Sequence, residues 1–69
     1  MGARVRKLRK EKGISFDALV GETGLGRGYI SELERGLVNP TIGNLDLVAQ
    51  ALGVSLAELL TDDSNGEQS

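Results

Sequence analysis

Residues 15–35 read SFDALVGETGLGRGYISELER, and the fold is decided in this stretch. Ser15 is a good helix N-cap, because its hydroxyl can accept from amides of the first turn that have no other partner. Asp17 sits where the helix dipole favours an anion. Phe16, Ala18 and Leu19 offer that helix an apolar side, and Gly24 ends it. Gly24-Leu25-Gly26 is then a tight bend with an apolar residue at its middle. A second helix is expected from about Arg27 to Arg35, with Ile30 and Leu33 turned inward at i, i+3 spacing and Gly36 closing it. A short helix, a glycine bend, an apolar anchor and a second short helix held by its own apolar stripe are the parts of a helix-turn-helix.

The flanks extend the same pattern. Upstream, a helix running to about Lys12 carries Val5 and Leu8, and Gly13 turns the chain out of it. Downstream, Thr41 follows Pro40 as an N-cap, and Ile42, Leu45, Val48 or Ala49, and Leu52 mark the stripe of a fourth helix that Gly53 stops. Ser55-Leu56-Ala57-Glu58 has the form of a capping box. It opens a short fifth helix with Leu56, Leu59 and Leu60 on one side. Helices this short are not stable alone and must pack on one another. With only 3% aromatic residues the shared core has to be aliphatic. The expected fold is all-α, a compact five-helix bundle over residues 1–61, followed by a disordered acidic tail over 62–69. Met1 and the polar end fit an intact small protein, and fit equally well one domain of a longer chain.

The net charge of -2 conceals a strong asymmetry. Residues 1–36 hold all eight cations, six of them in the first twelve residues (Arg4, Arg6, Lys7, Arg9, Lys10, Lys12), against five acids. Residues 37–69 hold no cation and five acids. A basic half can face phosphate while an acidic half faces away. The outer side of the 27–35 helix, with Arg27, Gly28, Ser31, Glu32 and Arg35, is a surface that a major groove would admit. With neither cysteine nor histidine, thiolate and imidazole metal sites and nucleophile–base pairs are excluded, so no metal, cofactor or catalysis is expected. Gly24, Gly26 and Gly28 form a G-x-G-x-G string, but it follows a helix and not a strand, so a dinucleotide fingerprint fails on context. No apolar run approaches the length of a membrane span or signal peptide, and a cytoplasmic location is expected.

The segments RKLRKEKGIS (6–15), TGLGRGYISELERG (23–36) and NPTIGNLDLVAQALGVSLAELL (39–60), with their spacing, resemble the Cro/CI-type (xenobiotic-response-element type) helix-turn-helix regulators over residues 3–60. The resemblance implies the phage-repressor type of DNA-binding bundle with the third helix as recognition helix. Arg27, Gly28 and Glu32 match base-reading positions, with Ser31 adjacent. Ser15 and Phe16 at the start of the second helix, and Tyr29, Arg35, Asn39 and Thr41, match positions beside the DNA backbone. Arg9 and Glu34 match a pair that forms an internal ion pair.

Three residues depart from the family pattern. Residue 16 is usually Gln, and Phe16 cannot donate the amide hydrogen bond; its ring either fills core space or lies beside the backbone. Gly28 offers no side chain to a base. Glu32 repels phosphate but can accept from a cytosine amino group, which leaves Arg27, with guanine as its natural target, as the strong reader. Tyr29 is either a phosphate donor or a core-edge residue. Leu37 and Val38 are expected to cover core in preference to forming a partner surface. Val54, Leu56, Leu59 and Leu60 are candidates for a dimer interface, since a domain this small gains by association. The expected protein is a homodimeric double-stranded DNA-binding regulator, a repressor or autoregulator, with no small-molecule ligand. The alternative is a protein-interaction module that keeps the fold without sequence-specific DNA binding.

Overall fold

The computed structural model describes residues 2–61. Among them the backbone forms five helices and no strand: α1 (Gly2–Glu11), α2 (Phe16–Thr23), α3 (Arg27–Glu34), α4 (Ile42–Leu52) and α5 (Leu56–Leu60). The fold is all-α, as the caps and breakers imply. Ser15, Thr41 and Ser55 each take an extended conformation, and their hydroxyls accept from the amides of Ala18 (3.0 Å), Asn44 (3.1 Å) and Glu58 (2.9 Å). That bond satisfies one otherwise orphaned donor at each helix start. The proposed acidic tail of residues 62–69 lies outside the described residues.

The core is wholly aliphatic. It joins Val5 and Leu8 of α1, Leu19 of α2, Ile30 and Leu33 of α3, Leu45, Val48, Ala49 and Leu52 of α4, and Leu59 of α5. α4 supplies four of the ten and packs against α1, α2 and α5, while α3 lies against α1 and α2. α3 is therefore packed mainly against two helices, both of which rest on α4.

Four sequence expectations are corrected by burial. Ala18 is exposed, because Phe16, Leu19, Val20 and Thr23 already fill the i, i+3, i+4, i+7 stripe of α2. Ile42 lies on the correct side of α4 but in its first turn, which overhangs the core, and it is 62% exposed. Val38 packs against the core, whereas Leu37 is exposed. The group offered for a dimer interface also divides. Leu59 is fully buried in its own chain and so unavailable, Val54 and Leu56 are half-buried against the core, and Leu60 is exposed.

Candidate nucleic-acid interface

The turn between α2 and α3 is built from three residues. Gly24 adopts a left-handed conformation (φ 70°), and its N–H donates to the Val20 carbonyl at 2.9 Å. This is the single-bond ending that needs a residue without a Cβ penalty. Leu25 is half-buried and reaches the core. Gly26 (φ 93°) then lets the chain reverse directly into α3. Thr23 completes the bend in a way the sequence did not announce. Its buried hydroxyl donates to the Leu19 carbonyl at 2.9 Å and accepts from the Leu25 N–H at 3.3 Å. A threonine at a helix end reads as mere polarity until its partners are known.

α3 has one committed side and one free side. Ile30 and Leu33 are buried, while Arg27, Gly28, Glu32 and Arg35 are exposed and Ser31 is half-buried. The outer side is thus not occupied by the protein's own packing. No side chain caps the start of α3, so its first amides are not claimed by a capping hydroxyl. Ser15, Asn39 and Thr41 are all exposed. The Ser15 and Thr41 oxygens serve as caps, which leaves each hydroxyl its proton to donate. Tyr29 is half-buried against the core, and its phenol oxygen accepts from the Asn44 side-chain amide at 3.2 Å. Here Asn44 is a further contributor that periodicity alone could not single out.

Arg9 and Glu34 form a bidentate pair. Arg9 Nε lies 2.7 Å from Glu34 Oε2, and Nη2 lies 3.2 Å from Oε1. Arg9 Nη1 also donates to the Ile14 carbonyl at 3.2 Å. The two side chains are only 12% and 8% exposed, so this cluster fastens the end of α1, the entry to α2 and the end of α3 together. Its role in the described geometry is structural.

At the opposite end of α3, Arg27 does not stand free. Its Nη1 donates to Asp17 Oδ1 across the turn, and its guanidinium carbon lies 5.6 Å from the centroid of the Phe16 ring. The guanidinium of Arg9 approaches the same ring at 5.9 Å. Phe16 is half-buried and packs on the core, so its ring fills space there, and it also faces both guanidinium groups. The Arg27 and Asp17 side chains are 66% and 69% exposed. A pair so solvated contributes about 0–1 kcal/mol, too little to explain it as a device for stability. Two opposite charges near the first turns of consecutive helices, ten residues apart, were the available signal for it.

Comparison with known proteins places these features in a family. Residues 5–59 match the family model described as helix-turn-helix. The uncharacterized HTH-type transcriptional regulator y4dJ of Sinorhizobium fredii is 44% identical over 61 residues, covering 88% of this chain and 79% of that protein. The HTH-type transcriptional regulator SinR of Bacillus subtilis is 38% identical over 97% of this chain, which spans only 61% of SinR. A crystal structure of SinR in complex with DNA superimposes with a TM-score of 0.79 at 41% identity, covering 87% of this chain and 97% of that one. The restriction-modification controller protein C.AhdI from Aeromonas hydrophila gives a TM-score of 0.81 at 39% identity over 86% of this chain and 89% of that one. With its five helices, its glycine bend and relatives of this closeness, the chain belongs to the helix-turn-helix family.

Proposed function

We propose that the protein is a sequence-specific double-stranded DNA-binding transcriptional regulator that sets α3 into the major groove. One observation carries this reading: α3 buries Ile30 and Leu33 while Arg27, Gly28, Glu32 and Arg35 remain open to solvent beside a cationic α1. The similarity to SinR, which has been seen in complex with DNA, supports it. Arg27, Gly28, Ser31 and Glu32 are the proposed base-facing residues. Ser15, Phe16, Tyr29, Arg35, Asn39 and Thr41 flank the phosphates.

The regulator acts as a homodimer in the cytoplasm, as a repressor or autoregulator, since blocking a promoter by occupancy requires nothing beyond binding. At the α5 end, exposed Leu60 with the edges of Val54 and Leu56 is the proposed contact between copies. Catalysis is no part of the reading. The chain has no histidine or cysteine, and among the described residues no group of three metal-ligating side chains comes together. No helix of the described residues is long and apolar enough to cross a membrane.

Selection from randomised duplex DNA tests the proposal. Enrichment of an inverted repeat with half-sites about one helical turn apart is expected, with affinity falling steeply as salt rises. Arg27→Ala should cost roughly 1–3 kcal/mol of specific binding and relax one base pair per half-site. No enrichment even at low ionic strength, together with capture of a protein partner, would instead favour an interaction module.

A further inference from the structure

The Asp17–Arg27–Phe16 group is the feature that neither stability nor the general form of a recognition helix explains. A lone arginine at the first position of α3, on a long stem and with phosphates on either side of the groove, would contact the nearest backbone oxygen as readily as a base edge. Its contribution would then be affinity without discrimination. In this protein its guanidinium is held on two sides. Asp17 Oδ1 takes one of its N–H groups, and the Phe16 ring lies 5.6 Å beneath it. The ring itself does not move freely. It packs on the core and faces Arg9, which is fixed by Glu34 and by the Ile14 carbonyl.

We infer that Asp17, with the ring of Phe16, is a positioning residue that sets the guanidinium of Arg27 for guanine and withholds it from phosphate. This inference rests on the DNA-reading function proposed above and assigns its discrimination to two side chains of α2. Three physical points support it. An arginine whose nearest anion is already a carboxylate gains little by exchanging it for a phosphate. A carboxylate cannot itself bind the backbone, so it keeps the pair over the groove floor. With one donor engaged, the remaining N–H groups still form the parallel fork that guanine O6 and N7 accept. The ring fixes the plane of that fork, because a guanidinium within about 6 Å of an aromatic centroid favours lying over its face. Side-chain freedom that would otherwise be lost on binding is lost beforehand.

The test uses the full chain and selection from randomised duplexes, with wild type, Asp17→Asn, Phe16→Leu and Arg27→Ala, each checked for folding by circular dichroism. Asp17→Asn is expected to lower the guanine preference at the single position read by Arg27 by about two- to tenfold. Binding to scrambled duplex should meanwhile rise, and its salt dependence should steepen by about one phosphate contact. Phe16→Leu, which changes no charge, should lower the same preference without steepening the salt dependence of scrambled-duplex binding. In the Arg27→Ala background, Asp17→Asn should no longer change base preference at all, an outcome that a general charge effect of Asp17 would not produce. A base profile in folded Asp17→Asn that equals or sharpens the wild-type profile overturns the inference while leaving the DNA-reading function intact. A wild type that selects no sequence overturns that function and this inference with it.

Discussion

Arg9 and Arg27 approach the same phenylalanine ring and illustrate how one residue type serves two ends. Arg9 is almost wholly enclosed and engages Glu34 through two hydrogen bonds, whereas Arg27 is largely solvated and held by a single carboxylate. Removing Glu34 would leave a side chain that is 12% exposed with the Ile14 carbonyl and the Phe16 ring as its described partners and no opposite charge. Loss of one member of such an enclosed pair is strongly destabilising, so Glu34→Ala is expected to cost about 2–3 kcal/mol in urea denaturation. A loss under 0.5 kcal/mol would mean the pair is dispensable. Asp17→Asn, by contrast, should leave the urea midpoint nearly unchanged, since its pair is exposed. The two acids therefore separate by assay: one is read in stability and the other in base preference.

At the scale of the element, the glycines around the recognition helix answer to different demands. Gly24 and Gly28 both face open space, with nothing within 4 Å of an added Cβ, but only Gly24 has a positive φ. Gly24→Ala is therefore expected to destabilise by about 1 kcal/mol through backbone conformation alone. Gly28→Ala should stabilise α3 by about the same amount, because alanine is the better helix former. Thermal melts of the two variants shifting in the same direction would contradict this. Helix boundaries were legible to within a residue because capping hydroxyls and left-handed glycines are local chemistry, carried by Ser15, Gly24, Thr41 and Ser55. The inward stripes of α3 and α4 were legible from periodicity. What sequence could not supply was depth: Ile42 and Leu60 follow the correct period yet lie beyond the edge of the core, and Leu59 is covered by its own chain. Nor does sequence pair side chains across a turn: by position alone Asp17 is a helix-dipole residue, Thr23 is one more polar residue, and Phe16 departs from the family pattern without a visible compensation.

Over the whole molecule, charge and support are distributed unequally. All eight cations lie within residues 1–36, on the half that contains α3, and the described acids of the other half are Asp46 and Glu58. The anchoring of α3 is equally one-sided. α1 and α2 are its main supports, and α4 adds the Asn44 amide that donates to the Tyr29 phenol. The first described residue, Gly2, is buried against the far end of the recognition helix. A Cβ there would overlap the Leu33 carbonyl oxygen and come within 2.9 Å of the Glu34 carbonyl oxygen and of the Gly36 nitrogen. Main chain cannot swing aside as a flexible side chain can. One methyl group at residue 2 would act as a wedge, tipping the axis of α3 from its trailing end while every side chain on the outer side stayed intact. Gly2→Ala is thus expected to keep its helical circular dichroism and yet grip a selected duplex more weakly, because a rigid rod inserted at the wrong angle misses its contacts all along its length.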